Sequence, residues 1–312
     1  METLFQDLKY AVRMLMKRPG FTLVAVLALA LGIGANTAIF SVVNSVLLSP
    51  LPYSNPDQLV WIWESNRSSD VLEEPASVPN FLDWKAQNRS FQDMTAFANT
   101  YATLTGAGEP ERFPGAYVSA NIFSVLGTPP LLGRDFLPDE NTPGKPRVVI
   151  LSHSLWERRF GADRNLIGQT ITLNGNPTTV VGVLPPGFAH PRPGLVSPPE
   201  MWMPLHINPA QDGRRSDFLS VVARLKPGVS LEQAQAEMDT ISAGLANQYP
   251  ATNAGWGATV LSLHERFVGD VKAALWLIMG AVGFLLLIAC ANVANLLLAR
   301  LARGAHGLCA SF

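Results

Sequence analysis

Charge is missing from two long stretches of this chain. No Asp, Glu, Lys or Arg occurs between Arg18 and Asp57, nor from Ala273 to Ala299. An apolar run of about 20 residues suffices to cross the hydrocarbon core of a bilayer, so both stretches predict membrane-spanning helices. The first, from Phe21 to Leu48, reads FTLVAVLALALGIGANTAIFSVVNSVLL. A cleaved signal peptide is its competing reading, because the run follows basic residues and holds small-residue sites such as Ala28-Leu29-Ala30. A secretory apolar segment is only about 7 to 15 residues long, whereas here the apolar character continues to Leu48. A wholly buried soluble helix is disfavoured, since two such runs in one chain are rare outside membranes.

Cysteine is nearly absent. Cys290 lies in the second run and Cys309 in the tail, so everything between the runs folds without disulfides. At over 200 residues that region is long enough to bury its own core. The five histidines, His153, His190, His206, His264 and His306, show no close His/Cys pairing of the zinc-site kind. A net charge of −1, without a basic patch alternating with aromatics, argues against nucleic acid as a partner. A Walker A loop needs a Lys among its glycines, and the nearest approach, Gly161 to Thr170, has the wrong spacing and no Lys. Ser152-His153-Ser154 reads as a helix start in preference to a nucleophile, because a catalytic triad has no adjacent-residue spelling. Glu73-Glu74 and Asp139-Glu140 sit in turn-rich stretches as solvated carboxylates. No catalytic, cofactor-binding or metal-ligating residue is assigned, and the chain reads as a non-enzyme.

What is present is a polar middle between two apolar ends. Lys9, Arg13, Lys17 and Arg18 precede the first run, and Arg300 and Arg303 follow the second. Basic residues near span ends stay cytoplasmic, while long domains are translocated largely regardless of charge. Both termini are therefore expected in the cytoplasm and the middle outside. Residues 2–18 place Leu4, Leu8, Val12, Leu15 and Met16 on one face, the pattern of a helix lying in the membrane surface. Pro19-Gly20 breaks it from the span. Within the spans, Gly32, Gly34 and Gly283 permit close helix approach, and Asn36, Asn292 and Asn295 need hydrogen-bond partners in a dry environment. All six are read as helix-packing residues.

The middle region is entered with Leu59 to Glu64 as a strand. A short helix then opens at Pro79 with Phe81 and Trp84 inward, and a strand follows over Phe97 to Leu104. Ser119 to Leu126 is expected to be helical, Val148 to Leu151 a buried strand, and Trp156 and Phe160 a pair on a helix stopped by Gly161. Asn174-Gly175 between apolar runs predicts a hairpin. Met201 to Leu205 reads as an edge strand, limited by Pro204. Phe218 to Leu225 alternates as a strand, Ser230 and Gln233 form a capping box, and Leu231, Ala234, Met238, Ile241 and Leu245 stripe the helix that follows. Thr259 to Leu263 returns as a strand. Matching strand and helix sets at either end suggest one subdomain assembled from both, with 116–205 inserted.

Several segments, in order, resemble the ABC-type permeases of the macrolide-exporter (MacB) and FtsX-like superfamily, the long ADOP-type permeases in particular. They are DLKYAVRMLMKRPGFTLVAVLALALGIGANTAIFSVVNSVLL, NFLDWKAQNRSF, SANIFSVLGTPPLLGRDF, VVILSHSLWERRFGADRNLIGQTITLNGNPTTVVGVLPPGF, VVARLKPGVSLEQAQAEM and ACANVANLLLAR. The resemblance implies an α+β membrane protein of the bacterial inner (plasma) membrane, in which two transmembrane helices flank a periplasmic core domain. That core is expected to combine a porter-like α/β subdomain with an inserted β-rich lobe. The expected organisation is an interfacial helix over 1–19, a first span and stalk over 20–48, the core over 49–272, a second span over 273–299 and a cytoplasmic tail over 300–312. The porter-like part comprises 55–115 and 206–268, and the lobe 116–205. Such permeases use ATP on a partner, an ABC nucleotide-binding subunit, and assemble as homo- or hetero-oligomers of permeases in membrane lipid; no cofactor is expected on this chain. Arg300 and Arg303 match the start of the ATPase-side segment, while Gly304 to Phe312 departs from the family and its further spans do not follow. The expectation is an N-terminal portion of a longer permease for export or mechanotransmission, with a membrane-anchored periplasmic scaffold or binding module as the alternative.

Overall fold

The structure, a computed structural model, describes residues 6, 19–44, 47, 51–106, 108–192, 195, 197–207 and 212–309. Apart from Gln6, the surface helix expected over residues 2–18 lies outside the described residues. The chain divides into two compact units, residues 50–267 and a unit formed by 1–49 with 268–312.

In the first of these, which α1 (Pro19–Val43) precedes in the chain, the order runs β1 (Leu59–Asn66), β2 (Val71–Glu74), β3 (Ala76–Ser77), α2 (Val78–Gln87), β4 (Phe91–Thr105), β5 (Glu111–Val118) and α3 (Ile122–Leu126). Then come β6 (Leu132–Gly133), β7 (Val148–Leu151), α4 (His153–Phe160), β8 (Thr170–Leu173), β9 (Asn176–Val183) and β10 (Met201–Pro204). β11 (Asp217–Leu225), α5 (Leu231–Gln248), α6 (Pro250–Asn253) and β12 (Gly257–Ser262) complete it. The described strands form one mixed sheet whose main path is β12-β1-β11-β4-β5-β10-β7-β9-β6.

Alternation along the strands sorts side chains onto two faces. Val60 and Ile62 of β1 join Val221 and Ala223 of β11 under α2 and α5, with Phe81, Trp84, Ala234, Met238 and Leu245. Leu59, Trp61 and Trp63 point the other way, with Val222, onto Phe97, Phe123 and Trp202. β1 is consequently buried along its whole length. A third cluster gathers Leu104, Phe113, Leu155, Trp156, Val180 and Met201. β4 serves both halves of the sheet, pairing with β11 near Phe91 and Phe97 and with β5 and β8 toward Leu104. Residue 116, where an insertion is expected to begin, falls inside β5.

Local signals act as their chemistry dictates. Ser77, Ser152 and Ser230 cap α2, α4 and α5, the last with Gln233 returning the bond. Asn174 and Gly175 both take positive φ, which joins β8 to β9 as the twist of a tight hairpin requires. β10 is not an edge strand. It lies inside the sheet, parallel to β5 and antiparallel to β7, and its pairing with β7 stops at Trp202. The missing N–H of Pro204 therefore falls beyond the ladder it would have broken.

The other unit contains α1 (Pro19–Val43) and all of α7 (Leu263–Cys309) from Val268 onward. Among the described residues, Val271–Asn292 is a helical stretch long and apolar enough to cross a membrane, and Ala30–Val43 is apolar but shorter. Leu31 and Phe40 of α1, and Leu277, Phe284 and Leu287 of α7, are exposed. Apolar surface of this extent marks a lipid or protein contact.

Candidate functional site at the entrance and exit of the domain

The sheet register brings the two ends of the domain together. β1 is the first long strand after α1 and β12 the last before α7, and they pair with Val60 opposite Ser262. β11 flanks β1 on its other side, with Leu59 opposite Arg224. The incoming segment, 51–58, and the outgoing helix thus leave the same end of neighbouring strands.

Arg224 holds the entrance. Its Nε donates to Val125 O at 2.8 Å, Nη2 to Ser54 O at 2.7 Å, and Nη1 to Asn55 O at 3.2 Å and Gln58 Oε1 at 3.4 Å. The residue is buried, and burial pulls its guanidinium below the ordinary arginine value. Every one of these acceptors is neutral. Val125 contributes a carbonyl from the last turn of α3, where the orphan C=O groups attract a cation. Gly127 ends α3 with φ +67°, and Ser54 packs on it: Ser54 Oγ donates to Gly127 O at 2.8 Å. A Cβ on Gly127 would stand 2.6 Å from Ser54 Cβ, so this approach needs glycine.

Two further contacts complete the junction. Tyr53 donates its hydroxyl to Ala189 O at 3.0 Å, and burial pushes its phenol up. The neighbouring His190 lies stacked on Trp202 at 5.2 Å and meets Phe97 edge-on at 4.7 Å. Its Nδ1 accepts from Arg192 N at 3.0 Å, and burial lowers its pKa to about 3, keeping the ring neutral. At the exit, Ser262 Oγ accepts from Glu265 N at 3.3 Å, and the Arg266 guanidinium lies 5.5 Å from the Trp63 ring.

Within the helical unit, Asn36 Nδ2 donates to Val282 O of α7 at 3.1 Å and to Gly32 O of its own helix at 2.9 Å. A Cβ on Gly32 would lie 3.4 Å from Leu286 Cδ1 and 3.5 Å from Ala289 Cβ, so the missing side chain admits the partner helix. Gly34 and Gly283 face open space, and Asn292 and Asn295 are exposed. Arg300 and Arg303 lie on α7, with side chains outside those described. Arg224 escaped the reading of the sequence, although a lone cation in the run LSVVARL was its signal: a charge in a strand buried on both faces needs several partners.

The family model of the MacB-like periplasmic core domain matches residues 22–241. Similar solved structures include the extracellular domain of the noncanonic ABC-type transporter YknZ from Gram-positive bacteria, at 16% identity, 65% coverage of this chain, 99% of that chain and TM-score 0.46. The periplasmic region of MacB from Actinobacillus actinomycetemcomitans is also 16% identical, with 70% of this chain and 92% of that one covered and TM-score 0.47. Among curated proteins none matches. With a match extending over more than half its length, this chain belongs to the MacB-like periplasmic core domain family.

Proposed function

We propose that this chain is the permease component of an ABC-type export or mechanotransmission system. In this reading 20–48 and 273–299 cross the bacterial inner membrane, the termini are cytoplasmic, and the core over 49–272 is periplasmic. A separate nucleotide-binding subunit hydrolyses ATP and contacts the segment at Arg300 and Arg303; this chain performs no catalysis. Rearrangement of the two helices is passed into the sheet through the junction at Ser54, Arg224 and Ser262.

The carrying observation is the pairing of Val60 with Ser262, which sets the entrance and exit of the domain side by side, the exit running straight into the apolar helix α7. Family membership and the glycine-asparagine contact between the helices add support. The test is co-expression with the ABC nucleotide-binding subunits of the same genome. One of them is expected to co-purify with this chain, with ATPase activity that falls on the double substitution Arg300→Glu, Arg303→Glu. Failure of any such subunit to associate with this chain overturns the reading.

A further inference from the structure

The second half of the sheet carries a cavity that the permease reading does not use. Its volume is about 310 Å³, within the range of small-molecule pockets. It opens where β5 and β10 end and β7 and β9 begin, beside the β8–β9 turn. Val148, Leu173, Met203 and Leu205 supply apolar walls.

Arg147 carries the only formal charge among the residues that line it. Arg147, His206 and Asn174 are exposed to solvent and Tyr117 is half-buried, and the Arg147 guanidinium, the His206 ring, the Tyr117 hydroxyl and the Asn174 amide Nδ2 have no hydrogen-bond partner among the described residues. Beside them Asn174 Oδ1 receives Thr103 N at 2.8 Å, and the Thr178 hydroxyl donates to Asn176 O at 3.3 Å. Neither Asp nor Glu lines the cavity, although residues 50–267 hold 21 acidic against 16 Lys and Arg residues. A guanidinium with uncommitted N–H groups is suited to bidentate capture of a carboxylate or phosphate.

We propose that this cavity binds a small amphiphilic anion, its carboxylate or phosphate held by Arg147 with His206 and Asn174, and its apolar part against Leu173 and Met203. The site is independent of whether an ATPase drives the chain. The anion is either a free solute or the headgroup of an anionic lipid, and the shared chemistry is a negative group on an apolar body.

The experiment is calorimetric titration of octanoate into the full chain held in phosphatidylcholine nanodiscs, with empty nanodiscs subtracted. Saturable one-site binding is expected, at least tenfold weaker in Arg147→Gln and unchanged in Arg164→Gln, an exposed arginine outside the cavity. In nanodiscs containing phosphatidylglycerol, a reduced apparent affinity assigns the headgroup as occupant, and an unchanged affinity assigns a free anion. Equal binding of octylammonium, or an Arg147→Gln variant that binds octanoate like the parent, overturns the proposal.

Discussion

Removing the Arg224 guanidinium is the sharpest perturbation of the junction. Arg224→Met keeps the apolar stem and withdraws all four hydrogen bonds to Ser54, Asn55, Gln58 and Val125. The carbonyls of Ser54 and Asn55 belong to exposed residues and regain water, whereas Val125 is buried and leaves its carbonyl without a donor. Hydrogen bonds to a charged group contribute about 1.5–3 kcal/mol each, and an orphaned buried carbonyl costs about 1–3 kcal/mol. Relief of the guanidinium's own desolvation offsets part of this, leaving a net loss of about 2–4 kcal/mol. Arg224→Lys keeps the charge but presents it at one point, so it recovers only a minor share. Urea unfolding of the full chain in nanodiscs, followed by the fluorescence of the buried tryptophans, measures the loss. Amide exchange over residues 51–58 should accelerate in parallel. Stability within about 0.5 kcal/mol of the parent for both variants would refute the reasoning, since that is the scatter of ordinary surface changes.

Three other outcomes follow from the geometry. Gln235 of α5 covers the edge of β12, donating to Ala258 O and accepting from Val260 N, both at 2.8 Å; Gln235→Leu should cost about 2 kcal/mol in the same unfolding assay. His190 is lowered to about 3, so the unfolded chain binds a proton that the folded chain refuses between that value and 6.5. Its contribution is therefore present above pH 6.5 and lost on acidification, on the order of 5 kcal/mol in full. Asp135, raised to about 6 by burial, acts in the opposite sense, its contribution being present below 3.8 and lost as pH rises through 6. The slope of stability against pH between 4 and 6 should accordingly fall in His190→Gln and steepen in Asp135→Asn, relative to the parent. Asn36→Leu removes the bond to Val282 O, and cross-linking efficiency between cysteines introduced on α1 and α7 should drop; an interhelical bond of this kind contributes about 0.6–2 kcal/mol.

Local chemistry was the legible part of this chain. The helix start at Ser152, the capping box at Ser230 and the Asn174-Gly175 hairpin depend on neighbours a few residues away, and such signals survive any tertiary context. Strand order does not: nothing near Asp217–Leu225 says that this strand inserts between β1 and β4, and the parallel pairing of β10 with β5 joins residues about 86 positions apart. Pro204 misled for a related reason, since its cost depends on where the partner strand stops. Gly32 and Asn36 are one helical turn apart and share a face, which leaves Gly34 turned away. On α7 the contact stripe runs through Val282, Leu286 and Ala289, a phase that the partner helix selects and composition alone leaves open; Gly283 lies off it.

Everything rests on the domain between the helices lying across the membrane from the termini. Single cysteines at Gln6 and Asp239, introduced by substitution in a chain with Cys290→Ser and Cys309→Ser, measure this directly when intact spheroplasts are treated with a membrane-impermeant maleimide. The expected result is labelling of the Asp239→Cys chain without permeabilisation and of the Gln6→Cys chain only after it. Protection of position 239 in intact spheroplasts, or equal labelling of both positions, would contradict the topology.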